Sequence, residues 1–271
     1  GAEFRQHEDR RARMVEQPAL DALGITPSVY HLNEGHSAFL LIERIRSKME
    51  EKKIDFETAR EAVKGSTVFT THTPVEAGNE RFDKNLIENY FKNYIQQSGI
   101  HWEQFWNLGH VNAGEEGPFD LTLLALKLSN RKNGVSKLHG HVSRKIWHKN
   151  WPSFLPQEVP ISHITNGVHC LSWMADEIRE LLETYAGIGF HNTLIGPKID
   201  WNRVEQIPGE ALWRAHTVLK DKLFQYIKAA TQECWLREGE SPSLIEQFKS
   251  KLNPSALTLS FARRFATYKR P

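Results

Sequence analysis

The feature that most limits the fold is an alternation in the first half of the chain: a short β-type run, then an amphipathic helix, twice in succession. TPSVYHLN (residues 26–33) is followed by HSAFLLIERIRSKMEE, whose Phe39, Leu40, Ile42 and Ile45 recur at helical spacing. STVFTTH (66–72) leads through the turn TPVEAGNERF into a second amphipathic helix, DKNLIENYFKNYIQQ. Short strands that alternate with helices imply a parallel sheet with crossover helices, hence an α/β fold.

The later pattern differs. Residues 118–150 read as helical, with NRKNGVSK as a sharp break between two helices. HITNGVHCLSW reads as a turn, and MADEIRELLET as the helix after it. ALWRAHTVLKDKLFQYIKAATQECWLRE reads as one long helix with Leu212, Leu219, Leu223, Ile227 and Trp235 buried, and SPSLIEQFKSKLNPSA as a capped linking segment. Residues 170–256 carry almost no strand signal, which places a helical crossover there. The closing LTLSFARRFATYKRP alternates Leu257, Leu259 and Phe261 as a half-buried strand would, then gathers Arg263, Arg264, Lys269 and Arg270. The charged opening, residues 1–25, shows no core face; both ends read as cut, as in a segment of a longer polypeptide.

Composition narrows the function classes. A net charge of +2 over 271 residues argues against nucleic acid or an anionic membrane as partner. No apolar run approaches the roughly 20 residues that cross a bilayer. Cys170 and Cys234 stand far apart without metal-ligand spacing, and no H-E-x-x-H occurs, so neither a disulfide framework nor a metal site is expected and a reducing cytoplasm is. Eight Trp and 13 His supply faces and polar rings that suit sugars.

The polar residues sit where such a sheet presents ligands. LNEGHSAF puts Asn33, Glu34 and His36 directly after one strand, and TTHTPVEAG puts His72 and Thr73 after the next. The carboxyl ends of strands in an open α/β sheet face the ligand crevice, so the two turns converge. Imidazole and hydroxyl groups both donate and accept hydrogen bonds, which a polyhydroxyl ring requires. Either His taken alone also fits a structural role; recurrence at equivalent strand ends favours the ligand. The four closing cations suit an anion.

YHLNEGHSAFLLIERIR, VFTTHTPVEAGNERF, NGVSKLHGHVSRKIW, HITNGVHCLSW and LSFARRFATYKRP, in this order, resemble the α-glucan phosphorylases, and most of all their bacterial and archaeal branch. The resemblance covers residues 26–271. It implies a GT-B arrangement of two Rossmann-like domains, with residues 26–169 belonging to the later part of the first (glucan-binding) domain. Residues 170–256 would then be the crossover, and 257–271 the first strand and phosphate segment of the second domain. Phosphorolysis of terminal α-1,4-linked glucose to α-glucose 1-phosphate is the implied activity, with maltodextrin and inorganic phosphate as substrates and a homo-oligomer as a possible assembly. The implied cofactor is pyridoxal 5'-phosphate, whose anchoring lysine would lie beyond Pro271, so the chain by itself is expected to be inactive.

Carried over by motif, His72 and Asn166 correspond to residues at the sugar 6-hydroxyl, with the His72 carbonyl facing the reacting carbon and Thr73 beside it. Glu34 and His36 match the acidic residue and histidine of an LND-T-H block, Glu standing where Asp is usual and lengthening that arm by one methylene. Val135 matches a backbone site lining the sugar pocket. Arg264 and Lys269 match the phosphate-contacting pair, and Arg263 stands where Lys is usual, which keeps charge but not geometry. Two other readings use the same features. A nucleotide-sugar glucosyltransferase of the glycogen-synthase kind shares the fold, but no glycine-rich turn is placed to hold a nucleotide diphosphate. A non-catalytic glucan-binding fragment would need only the sugar turns.

Overall fold

The structure, a computed structural model, describes residues 19–20, 22–110, 117–187, 200–263, 265 and 269–270. The chain divides into two compact units, residues 1–167 and 168–271. In the first, strand β1 (Tyr30–Asn33) passes through helices α1 (Phe39–Lys52) and α2 (Phe56–Gly65) to β2 (Thr67–Thr71). A short strand β3 (Arg81–Phe82) precedes α3 (Lys84–Gln97) and α4 (Trp102–Gly109). Beyond residue 116, β4 (Phe119–Asp120) runs into α5 (Leu121–Lys127), β5 (Arg131–Gly134), α6 (Lys137–Trp147) and β6 (Ser162–His163).

β1, β2, β5 and β6 form one sheet in that order, every neighbouring pair parallel. The register sets Asn33 beside Thr70, Thr70 beside Asn133, and Asn133 beside Ser162. All four strands therefore end on one edge. β3 and β4 make a separate antiparallel pair, Arg81 beside Asp120. Local chemistry starts the helices on cue: Asp55, Asp120 and Ser136 side chains accept from the amides of Thr58, Leu123 and His139 at the first turns of α2, α5 and α6.

The core lies between the sheet and α1, α3, α4 and α5, and its centre is aromatic. Phe39 stacks on Phe91 at 4.4 Å between ring centroids, and Phe119 on Phe105 at 5.0 Å. Phe39, Phe105 and Phe119 are at most 2% exposed. Burial of such a side chain stabilises by about 1.5–3 kcal/mol. A β-carbon on Gly109 would lie 2.5 Å from the Phe119 ring, so the last residue of α4 has to be this small.

Three sequence expectations require correction. NRKNGVSK is no mere break between helices: its RKNG is β5, with partners on both sides. HITNGVHCLSW begins inside β6, since His163 pairs with Gly134. Leu257–Ala262 form no strand, and Leu257 and Leu259 are 87% and 86% exposed. Alternation fits a residue to a pleat, but a strand exists only where a neighbour takes its hydrogen bonds.

The second unit holds α7 (Cys170–Trp173), α8 (Asp176–Ala186), α9 (Gly209–Arg237) and α10 (Pro242–Lys251), with no strand among its described residues. Here α9 corrects another expectation: Leu212 and Leu223 are exposed, Leu219, Ile227 and Trp235 half-buried, and the buried positions are Ala215 and Phe224. Its flanking helices α8 and α10 cover a narrower stripe than the apolar periodicity suggests.

Candidate functional site

The site is built on the common carboxyl edge of the sheet, starting with Glu34. This residue leaves β1 at φ 74° and ψ 168°, in a region that favours glycine. Such a conformation costs about 1–3 kcal/mol and persists only when its surroundings hold it. Its amide donates to the Thr70 carbonyl (2.8 Å). One carboxylate oxygen accepts from the His72 amide (2.8 Å) and the Thr73 hydroxyl (3.0 Å). The Glu34 carboxylate thus spans from the β1 turn to the β2 turn. The His72 ring closes the same junction, its Nε2–H donating to Asn33 Oδ1.

A second junction joins the β2, β5 and β6 turns through His139, which is 8% exposed in the first turn of α6. Its Nδ1 accepts from the Val135 amide (3.2 Å) and its Nε2–H donates to the Thr73 carbonyl (3.2 Å), which fixes the tautomer. The Val135 carbonyl in turn accepts from the Asn166 amide (3.1 Å). Gly134 and Gly140 permit this closeness. A β-carbon on Gly134 would meet His139 Nδ1 at 2.8 Å and the Gly140 amide nitrogen at 2.9 Å.

Beside Glu34, the residues Gly35, His36, Thr73, Asn79 and Thr122 line a small depression. A β-carbon on Gly35 would meet Thr122 Oγ1 at 3.0 Å, so glycine allows α5 to approach the β1 turn. His36 Nδ1 lies 3.6 Å from Glu80 Oε2. The outer turn is pinned at Glu76, which accepts from Lys149 and from Arg81 (2.7 Å), while Arg81 also bonds Asp120 (2.9 Å). Lys149 first, then Arg81, hold the Glu76 carboxyl below the usual carboxylate range.

The fold thus gathers Glu34, His36, His72 and Thr73 at one junction and Val135 with Asn166 at the next. Arg263 belongs to the second unit, exposed, its guanidinium donating to the Ala262 carbonyl (2.8 Å). Lys269 is half-buried in that unit, and Arg264 lies outside the described residues, as does Pro271. Sequence reasoning gave no part to His139, although NGVSKLH contains it; the one available signal is Ser136, a helix-capping residue three positions before a histidine. Asn33 was visible at the strand end but not as the partner of His72.

Chemically, the junctions and the depression beside them offer two carboxylates (Glu34 and Glu80), imidazoles, hydroxyls and main-chain groups, a mixture of donors and acceptors that suits a neutral polyol. A phosphate set against Glu34 would meet like charge. Among the described residues no group of three His, Cys, Asp or Glu could hold a metal ion, and no helix is long and apolar enough to cross a membrane.

The chain is 39% identical over 251 residues to a maltodextrin phosphorylase of Thermococcus litoralis, covering 93% of this chain and 29% of that protein. It is 37% identical over 252 residues to a glycogen phosphorylase of Mycobacterium tuberculosis, covering 90% of this chain and 28% of that protein. A glycogen phosphorylase of Aquifex aeolicus is 34% identical over 254 residues, covering 93% and 36%. The chain thus spans about three tenths of the length of the first two relatives. The profile of the carbohydrate phosphorylases matches residues 14–195, so the chain belongs to the carbohydrate phosphorylase family.

Proposed function

We propose that the protein containing this chain is an α-glucan phosphorylase, which releases α-glucose 1-phosphate from terminal α-1,4-linked glucose with inorganic phosphate. The observation that carries the reading is the Glu34–His72–Asn33 junction: a carboxylate that holds the His72 amide and an imidazole that bonds Asn33, at adjacent strand ends of a parallel sheet, in a chain of this family. In this reading residues 26–169 belong to the glucan-binding domain of a GT-B enzyme, and His72 and Asn166 meet the sugar 6-hydroxyl. Glu34 holds the His72 amide, so the main chain at His72 is fixed toward the reacting carbon. Thr73 and Val135 shape the pocket wall, and His36 orients the turn. Binding groups held this rigidly convert encounter into near-attack geometry.

Pyridoxal 5'-phosphate is the cofactor of this proposal. The turns of the first unit do not fit it, because the Glu34 carboxylate opposes its phosphate. Arg263, Arg264 and Lys269 are the proposed phosphate contacts, of substrate or cofactor, and residues 257–271 the start of the second domain. A preformed cluster of cations stabilises charge that develops on a transferred phosphate.

The test offers maltodextrin with inorganic phosphate, and separately with UDP-glucose, to the purified enzyme. Glucose 1-phosphate release is expected; transfer from UDP-glucose without phosphorolysis would overturn the reading. In the same enzyme His72→Ala is expected to lower turnover about 10²-fold or more. Its melting temperature should stay near wild type, because the side chain is exposed and bonds Asn33 alone. Normal turnover with a large fall in melting temperature would make His72 structural.

A further inference from the structure

The opposite edge of the first unit carries a feature that the glucan turns do not use. Lys127 ends α5, and its ammonium nitrogen donates to two main-chain carbonyls at the end of α4, Asn107 (2.5 Å) and His110 (2.9 Å). The same side chain lines an open pocket of about 410 Å³ with Phe56, Arg60, Lys64, Gln104 and Leu108. The pocket also contains Glu57 and Glu61, but neither reaches Lys127. Glu57 is paired with Arg60 (2.9 Å), and Glu61 with Arg60 (3.0 Å) and Lys64 (3.4 Å).

The lysine is thus surrounded by charges already matched to one another. Its own partners are neutral carbonyls, whose helix-end partial charge is too small to offset desolvation. Burial pushes its pKa down to about 8. With two N–H groups committed to carbonyls, a neutral amine keeps one lone pair, and among the described residues no donor is bonded to it.

We propose that Lys127 is an acylation site, whose amine accepts a small acyl group from an acyl phosphate or a thioester entering this pocket. The lone pair attacks the acyl carbon and an N–C bond forms. The C–O or C–S bond breaks, and phosphate or thiol leaves with the proton released from nitrogen. Atoms and electrons balance with no further reactant. The resulting amide has a single N–H, so one of the Asn107 and His110 carbonyls loses its donor.

The test incubates the purified protein containing this chain with acetyl phosphate, and separately with acetyl-coenzyme A, between pH 6 and pH 10. Acetylation of each lysine is then followed by peptide mass spectrometry. Lys52, Lys53 and Lys92 are exposed and serve as comparators. At pH 7.5 the neutral fraction of Lys127 exceeds that of a free lysine side chain by about 200-fold, and lower intrinsic nucleophilicity offsets part of this, leaving an expected rate advantage of roughly tenfold. The rate at Lys127 should level off above a midpoint near 8. Label from either donor in this pattern supports the site and identifies the donor class. Modification of Lys127 no faster than the comparators with both donors overturns it. Lys127→Arg removes label from that peptide alone; label that persists there belongs to another residue and also overturns the assignment. The main readout is on the unmutated protein and does not depend on how the variant folds.

Discussion

The two units bury their apolar residues differently. The first surrounds Phe39, Phe105 and Phe119 so fully that none is more than 2% exposed. In the second, Leu182, Ala186, Ala215, Phe224 and Ile245 are the buried apolar residues among those described, while Trp173, Trp213 and Tyr226 are 83%, 72% and 71% exposed. Its side-chain links are largely surface ones, such as Lys222 to Glu177 and Lys249 to Gln232 (2.6 Å). Exposed ion pairs contribute about 0–1 kcal/mol. One unit is therefore held by contacts distant in sequence, the other by helices that largely stand on their own turns. The first should open rarely and together, the second more readily and in parts.

The sharpest way to break this comparison is a pair of truncations. Phe119→Ala is expected to cost about 3–5 kcal/mol, and Leu223→Ala, on the exposed side of α9, about 0.5 kcal/mol or less. Urea denaturation combined with hydrogen exchange assigns each loss to its unit. A Leu223→Ala loss as large as that of Phe119→Ala would mean that the outer face of α9 is covered in the working protein.

Glycines offer a second contrast. Gly134→Ala must push a β-carbon against His139 and the Gly140 backbone, with an expected cost of about 1–3 kcal/mol. Gly209, the first residue of α9, has nothing within 4 Å of a new β-carbon. Gly209→Ala should therefore stabilise, by about 0.5 kcal/mol. Thermal melts of both variants decide the matter; equal effects would remove the distinction between a packed junction and an open helix.

The smallest effect concerns pH. Lys132 on β5 is 9% exposed, and burial, then the Lys64 charge, push its pKa down to about 8. Below pH 8 folded and unfolded chains are both protonated there, and the penalty is complete. From about 8 to 10.5 the unfolded chain binds more protons, so stability of the first unit rises with pH; Lys127 acts in the same direction. Lys222 in the second unit has its pKa raised, chiefly by the hydrogen bond to Glu177, so its contribution is present below 10.5 and lost at higher pH. Lys132→Met should add about 1 kcal/mol at pH 7, and less at pH 9.5. Urea midpoints at the two pH values test this; a variant less stable than wild type at pH 7 would show the ammonium to be needed.

How much of this was legible in the sequence follows from the same contrast. β1, β2, α1 and α3 were readable because their apolar spacing repeats. β5 was not, since RKNG has neither alternation nor β-branched residues; it is a strand because β2 and β6 flank it. The closing Leu257–Ala262 shows the converse, good alternation without a partner. At the site, Glu34, His72 and Thr73 could be found as polar residues after strands. The role of His139 depends on the β2–β5 register, and the positive φ of Glu34 on what holds it; neither is written in local spacing.

One further thread runs across the sheet beneath the site. His31 Nε2–H donates to the Thr70 hydroxyl (2.7 Å), which donates to Asn133 Oδ1 (3.1 Å). Thr70 and Asn133 are 8% and 6% exposed, so either one left unpaired would cost about 1–3 kcal/mol. If β2 slipped by one residue, Phe69 or Thr71 would stand opposite Asn133 with its side chain on the other face. A slip of two would bring Val68, which has no polar atom, or His72 from past the strand end. The three side chains therefore act as an address: one alignment satisfies all of them and its neighbours do not. The strand ends that this address sets in place are those that carry Glu34 and His72.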